Sequence, residues 1–395
     1  MKLLLSHNYY QKAGGEDVAF AGEKELLLAA GHHVNEYCRH NNEITDRGIF
    51  PLARLGLRTV WAWDSANDLR RVLQQEKPDV AHFHNTFPLI SPAAYSVCQE
   101  FGIPVIQTLH NYRLLCPAAT FSRNGRLCEE CVDHSLWRGV QYGCYRDSHL
   151  ATAVVAISLA THRWLQTWTR MVDCYVVPSA FARSKFVEAG LPTEKAFVKP
   201  NFVHPDPGAR TAAGSYALFA GRLSAEKGLC TLLDAWERLG NGVPLHIIGD
   251  GPLRVQLEAE ALRRNLSDVS FCGFRSREQV LAALKSSRFL IFPSECYETF
   301  GATIVEAFAC GVPVLASRLG AMTEIVENER TGLHFTPADP DDLAEKVHWV
   351  WTHPERTLEM GLAARLEYES KYTADKNYSR LMEIYQRAIS NGNCA

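Results

Sequence analysis

The stretch Pro293-Ser294-Glu295-Cys296-Tyr297-Glu298-Thr299-Phe300-Gly301, followed by Glu306, sets two carboxylates eight residues apart. A helix throughout would separate them by ~12 Å. A carboxylate pair flanking one glycosidic bond needs about 5–9.5 Å, so that chemistry does not fit. The spacing suits two ends of one extended ligand, such as a sugar and a ribose. Gly301 lets backbone approach closely, and a helix starting there offers free N–H groups to a phosphate. The alternative is two solvated helix glutamates.

A second group is Gly221-Arg222-Leu223-Ser224-Ala225-Glu226-Lys227-Gly228, between a strand and a helix. Arg222 offers a planar fork to phosphate oxygens and Lys227 a mobile point charge. Together they could offset charge building on a leaving nucleoside diphosphate. A surface loop with two exposed cations is the alternative. Ile247-Ile248-Gly249-Asp250-Gly251-Pro252 is a third strand-to-helix turn, but Arg254 stands where a dinucleotide fingerprint needs its third glycine. GxxxxGK[ST], HExxH and GxSxG are absent.

The first half of the chain carries a glycine turn, Ala13-Gly14-Gly15-Glu16-Asp17, before a helical pattern. Gly14 and Gly15 would let a phosphate or sugar come close. His82 and His84 stand at one strand end, and His110 at another. A lone histidine is more often structural, and the strand-end position favours a functional role for His84 and His110. Cys116, Cys128, Cys131 and Cys144 lie within one polar, aromatic segment, with Cys128 and Cys131 as a C-x2-C pair. Four thiolates fit a structural zinc, or an iron–sulfur cluster; four ordinary thiols are the other reading.

Positioning these residues requires many elements in 395 residues. At ~100–200 residues per domain, two domains are expected. Short β-type runs (Lys2–Ser6, Val80–His84, Val105–Thr108, Val154–Ile157, Cys174–Pro178) alternate with helices at Val18–Gly31 and Phe181–Ala189. The pattern restarts after Pro200 with strands at Tyr216–Ala220, Leu245–Gly249, Val269–Cys272, Phe289–Phe292 and Val314–Ala316. Helices intervene at Thr231–Leu239, Pro252–Arg264, Arg277–Ser286 and Thr303–Cys310. The reading is α/β: two domains with mostly parallel sheets. The boundaries are 1–200 with a Cys-rich insertion at about 116–144, a linker at 201–215, a second domain at 216–372, and a C-terminal helix at 373–395 packing back on the first domain. Ligands bind at the carboxyl ends of parallel strands, which places the expected site in the cleft between the domains.

Composition excludes little else. Hydrophobic residues are 47%, charged residues 22%, and the formal net charge of -3 gives no global field for nucleic acid. The N-terminal apolar run is too short for a signal peptide, and no stretch approaches the ~20 residues of a membrane helix. A cytoplasmic chain, or one peripheral at the inner face of the membrane, is expected. Two basic-aromatic segments, Arg54/Arg58/Trp61/Trp63 and His162/Arg163/Trp164/Trp168/Arg170, either meet a membrane surface or pack on the core.

The series GRLSAEKG, IIGDGPLR, FCGF and PSECYETFGATIVEAFACGVPVLAS, in this order, resembles the retaining family-4 glycosyltransferases of GT-B fold. The resemblance covers the second domain and, more loosely, the first. It implies that Arg222 and Lys227 hold a donor diphosphate, Glu298 the sugar and Glu306 the ribose. It places Gly273 and Phe274 by the base, Gly249 in the nucleotide site, and Thr299, Phe300 and Gly301 as backbone contacts. Gly14 and Gly15 would meet the donor phosphate and the acceptor. His110 would be the active-site histidine near the donor sugar, with His84 on the acceptor side.

The implied reaction moves a hexose from a nucleotide sugar to a glycan or lipid-linked acceptor, with retention, in cell-surface polysaccharide assembly. The leaving phosphate can itself take the acceptor proton. No Asp-x-Asp motif for a donor-bound metal is read in the sequence, so catalysis is expected to need no metal cofactor. A sugar-nucleotide epimerase on the same fold and a non-catalytic nucleotide-sugar-binding protein are the alternatives.

Overall fold

The computed structural model describes residues 1–11, 14–44 and 49–392; Ala13 of the glycine turn and the last three residues of the expected C-terminal helix segment lie outside them. The chain divides into two compact units, residues 1–121, 128–200 and 377–395, and residues 122–127 and 201–376. The segment 201–215 therefore counts with the second unit. So does the small antiparallel hairpin Ser122–Arg123/Arg126–Leu127 inside the Cys-rich insertion.

The first unit holds strands Lys2–Tyr9, His33–His40, Val80–Asn85, Val105–Thr108, Cys174–Val177 and Ala196–Val198. Numbered within the unit, they lie in the order 2-1-3-4-5-6 with every pairing parallel. Strand Val80–Asn85 is buried along its whole length, as a strand covered on both faces must be. The period of two puts His82 and His84 on one face of it. Leu3, Leu5, Phe20, Val80, Ile106 and Val176 form a core with Leu381, Ile384, Tyr385 and Ala388 of the C-terminal helix Ala374–Gly392.

One expected strand is not there. Val154–Ile157 lies inside the helix His149–Trp164, whose N-terminus is capped by the Ser148 hydroxyl accepting from the Ala151 N–H at 3.2 Å. Thr152, Val155, Ala156 and Leu159 are buried and Leu150, Ile157 and Trp164 exposed, a helical period that overrides the local β-branched run.

The second unit repeats the plan. Strands Ala217–Ala220, Leu245–Ile248, Val269–Gly273, Phe289–Phe292, Val314–Ser317 and Gly332–Phe335 lie in the order 3-2-1-4-5-6, all parallel. Its core joins Phe219, Ile247, Phe289, Ile291 and Leu315 to Leu232 and Trp236 of helix Leu229–Leu239. Helices Arg277–Ser286 and Ala302–Ala309 lead into and out of the strand Phe289–Phe292.

Candidate active site

In the second sheet the strand order reverses between the first strand and the fourth, the place at which open parallel sheets present loops to a ligand at their carboxyl ends. The loops after these two strands are Gly221–Gly228 and Pro293–Gly301. Lys227 Nζ reaches Glu298 Oε1 at 2.5 Å, and the Ser294 hydroxyl donates to the same oxygen at 2.5 Å. The Glu295 N–H donates to the Glu226 carbonyl at 2.9 Å, and the Thr231 hydroxyl to Glu295 Oε1 at 2.5 Å. Gly228, at φ +68°, sits so close to the Pro293 carbonyl that a Cβ would overlap its oxygen.

A third loop, Gly249–Pro252, is zipped onto the first. The Gly221 N–H donates to Ile248, Leu223 N–H to Asp250, and Leu253 N–H to Leu223, each at 3.0 Å. Gly249, at φ +145°, lies where a Cβ would overlap the Gly221 carbonyl oxygen. Its first role is thus to let two loops touch. Its N–H also donates to the Gly273 carbonyl at 2.9 Å, which brings in the turn after the third strand. Phe274 stands 77% exposed there. Four motifs scattered over some eighty positions of sequence thereby meet at one sheet edge.

Electrostatics separate the two glutamates. Burial presses Glu298 upward, but the Lys227 ammonium and the hydrogen bonds of Lys227, Ser294 and Cys296 outweigh it, holding the carboxyl below its ordinary value. Burial likewise opposes charge on Lys227, and Glu298 more than compensates, raising it. Glu306 is raised, by burial first, against the pull of Arg277, whose Nε is 3.2 Å away. Glu298 lies in a loop and the helix begins only at Ala302, so the two are not on one continuous helix as the spacing estimate assumed. Arg222 is exposed. Phe300 is buried against Tyr372, ring centroids 5.9 Å apart, so it anchors the loop while Thr299 and Gly301 remain at its surface. An Asp-x-Asp triplet does occur, at Asp339-Pro340-Asp341. It is a helix cap: Asp339 Oδ1 accepts from the N–H groups of Asp341 and Asp342 at 3.0 and 3.1 Å.

The first sheet has its own reversal, between its first and third strands, and histidines gather there. His7 Nε2 meets Asp17 Oδ1 at 2.7 Å, and Asp17 Oδ2 accepts from the Gly14 N–H at 2.7 Å, the carboxylate half of a capping box, glycine having no side chain to supply the other half. Gly14 and Gly15 have open space where a Cβ would be. Glu16 is half-buried beside Asn111, whose Nδ2 lies 3.3 Å away. Burial, then the Asp17 carboxylate, pushes Glu16 up to about 8 against Arg113 and Asn111. His84 Nδ1 lies 2.9 Å from His110 Nε2 with the rings stacked, and both rings are held well below the ordinary histidine range, by burial first. Behind them stand Glu23, Lys199 and His82. Glu16 and Asp17 were visible in the glycine-turn motif. Arg277, Glu23 and Lys199 carried no local signal, being single charges inside helices and loops.

Cys131 is pushed up to about 12, by burial first, then by Cys116, with Cys144 and Cys128 contributing, so the four share a neighbourhood. A tetrahedral zinc with bonds of about 2.3 Å would hold its sulfurs about 3.8 Å apart. Among the described residues, the group of three metal-type ligands whose atoms lie within 4.8 Å of one another is Glu23, His82 and His84, not these thiols. Lys185 Nζ, 2.9 Å from Glu129 Oε2, ties the Cys128–Cys131 turn to the helix Ala180–Glu188.

Comparison with known proteins agrees with this geometry. The model for Glycosyltransferase Family 4 matches residues 23–207, and that for Glycosyl transferases group 1 matches residues 209–367. D-rhamnosyltransferase WbpZ of Pseudomonas aeruginosa is 35% identical over 161 residues, 40% of this chain and 42% of that protein. O-antigen chain mannosyltransferase C of Escherichia coli is 30% identical over 183 residues, 46% and 49% of the two chains. The matched part spans less than half the length of each. Among solved structures, HepE of Anabaena in complex with UDP superposes with a TM-score of 0.66 at 20% identity, covering 97% of this chain and 99% of that one. Sucrose-phosphate synthase of Thermosynechococcus elongatus gives 0.73 at 17% identity, covering 99% and 100%. With two parallel six-stranded sheets and both family models matched along its length, the chain belongs to the group 1, family 4 glycosyltransferases of GT-B fold.

Proposed function

We propose that this protein transfers a hexose from a nucleoside-diphosphate sugar to a hydroxyl of a glycan or lipid-linked acceptor, retaining anomeric configuration, in cell-surface polysaccharide assembly. The observation that carries the reading is the Lys227–Glu298 pair at the reversal point of the second sheet, framed by three glycine-dependent loops. Before donor binds, the pair cancels its own charge. A diphosphate brings negative charge to Lys227 and to the exposed Arg222, and frees Glu298 to take sugar hydroxyls. Glu306, raised toward its neutral form and steered by Arg277, would take the ribose hydroxyls. Gly273 and Phe274 would flank the base, and the backbone of Thr299, Phe300 and Gly301 would hold phosphate and sugar. His110 would lie near the donor sugar, with Gly14 and Gly15 by the donor phosphate and the acceptor.

The leaving diphosphate takes the acceptor proton while Arg222 and Lys227 stabilise its growing charge. This step calls on no carboxylate nucleophile and no metal. The relatives' names support transfer of a hexose or deoxyhexose, and a bound UDP in HepE supports a nucleoside-diphosphate donor.

A lipid-linked acceptor implies contact with a membrane surface. No helix among the described residues is long and apolar enough to cross one. Helix His149–Trp164 instead exposes Leu150 (69%), Ile157 (58%) and Trp164 (82%) at seven-residue spacing, on one face. Arg54, Arg163 and Arg170 are exposed as well, whereas His162 and Trp168 are buried. The apolar face suits a bilayer surface.

Incubation with UDP-, GDP- and ADP-sugars plus a lipid-linked glycan acceptor tests the reaction. Release of nucleoside diphosphate together with a glycoside of the donor's anomeric configuration is expected. An inverted product, or nucleotide release with no glycoside under any donor, would refute it.

A further inference from the structure

The four cysteines between strand Val105–Thr108 and helix His149–Trp164 take no part in the proposed reaction. They stand as Cys116-x11-Cys128-x2-Cys131-x12-Cys144, all free thiols. Among the described residues, the segment that carries them, residues 109–148, has no element longer than the six-residue helix Trp137–Tyr142. A stretch this long and this poor in regular structure calls for a staple.

The backbone gathers the four. The Glu129 carbonyl accepts from the N–H groups of Val132 and Asp133 at 2.8 and 3.1 Å, so Cys128 and Cys131 flank one tight turn. Gly139 joins the others to that turn. Its carbonyl accepts from the Cys144 N–H at 3.1 Å. A Cβ on Gly139 would lie 3.2 Å from Cys131 Sγ and 3.1 Å from Cγ of Pro117, the residue after Cys116. Beyond its burial, the Cys131 thiol is raised by Cys116, Cys144 and Cys128 and lowered by a hydrogen bond from the Gly139 backbone. That N–H bond favours thiolate over thiol. Arg163, whose Nη2 donates to the Leu114 carbonyl at 3.0 Å, interacts electrostatically with Cys131 and supplies a cation beside the cluster.

We propose that Cys116, Cys128, Cys131 and Cys144 bind one structural zinc ion as thiolates. Binding exchanges four S–H bonds for four Zn–S bonds and releases four protons to solvent. Four thiolates against a divalent ion leave two negative charges, which Arg163 and the Gly139 N–H offset. Among the described residues no three of the sulfurs lie within 4.8 Å of one another, wider than the about 3.8 Å of a zinc tetrahedron. A cysteine that changes its χ1 rotamer moves its sulfur by roughly 3 Å with the backbone unmoved. The fold thus supplies the backbone positions, and the ion sets the rotamers. The ion's role is to hold the segment whose first residues present Asn111 to Glu16, 3.3 Å away.

The tighter group Glu23, His82 and His84 is a poorer host. Lys199 Nζ already neutralises Glu23, 2.7 Å from Oε2, and the hydroxyls of Tyr385 and Thr108 occupy both nitrogens of His82. A divalent cation there would add two uncompensated charges in a buried region.

Metal analysis of the full chain, purified without immobilised metal and under reducing conditions, tests the site independently of glycosyl transfer. One zinc per chain is expected. Cys128→Ser and Cys131→Ser should each lower the zinc content at least about tenfold, whereas Cys98→Ser and Cys230→Ser, outside the cluster, should leave it unchanged. Should the cluster variants fail to fold, cobalt supplied to the wild type reads the same site. The visible bands of tetrahedral thiolate coordination are expected, and one equivalent of zinc should abolish them. Removal of zinc by a chelator should lower Tm, and an unchanged Tm would deny the structural role. A wild type that holds no zinc and takes up none when supplied would overturn the proposal. So would zinc kept in Cys131→Ser but lost in His82→Gln, or iron with acid-labile sulfide in place of zinc.

Discussion

Glu298 and Glu306 are eight residues apart and are driven in opposite directions, one by an ammonium 2.5 Å away and the other by burial beside a single guanidinium. Glu298→Gln keeps the shape and removes the charge that Lys227 answers. Nucleoside diphosphate alone should then bind as tightly as before or tighter, while sugar transfer falls on the order of tenfold to a hundredfold, a charged hydrogen bond being worth about 1.5–3 kcal/mol. Weaker binding of the free diphosphate in titrations of this variant would mean that Glu298 does not compete with it for Lys227. Glu16 offers a pH-dependent readout. Its folded value of about 8 lies above the ordinary 4.5, so the fold favours the protonated form. That stabilisation is complete below about pH 4.5 and is lost as pH rises through about 8. Denaturation curves should show Glu16→Gln gaining on the wild type across that window; parallel curves would place Glu16 in water. The chemistry-bearing residues of the second half were legible because they stand together with glycines in short strand-to-helix loops. Arg277, Glu23 and Lys199 were not, since their partners are 29 to 176 positions away.

At the level of elements, the site depends on loops brought closer than side chains allow. Gly249→Ala places a Cβ on the Gly221 carbonyl at φ +145°, and should destabilise the protein by more than about 2 kcal/mol. Gly14→Ala, at a helix cap with open space around it, should cost about 1 kcal/mol or less. Equal denaturation midpoints for the two would remove the steric argument. Buried central strands such as Phe289–Phe292 were readable as unbroken apolar runs. The first unit's His33–His40 was not, because its mixed burial leaves a polar, histidine-rich sequence. Val154–Ile157 misled for the converse reason: a β-branched run happened to fall on a helix whose other residues set the period.

Across the whole molecule, two parallel sheets of different strand order each present a reversal point, one with a phosphate-type cation and carboxylate, the other with histidines. The division into two α/β halves could be read from the restart of the pattern after Pro200. The hairpin Ser122–Leu127 grouping with the second unit could not, because it depends on contacts far along the chain. The exposed face of His149–Trp164 gives a prediction at this scale. Trp164→Ser with Ile157→Ser should reduce co-flotation with anionic vesicles severalfold and leave donor binding unchanged, and undiminished flotation would assign the face another role. The central claim, that the loops after the first and fourth strands of the second sheet form a donor site, is tested most directly by calorimetric titration of UDP-, GDP- and ADP-sugars into wild type, Arg222→Ala and Lys227→Ala. The account predicts that one of the three binds the wild type, with affinity at least about tenfold weaker in each variant. Equal affinity in all three proteins would contradict it.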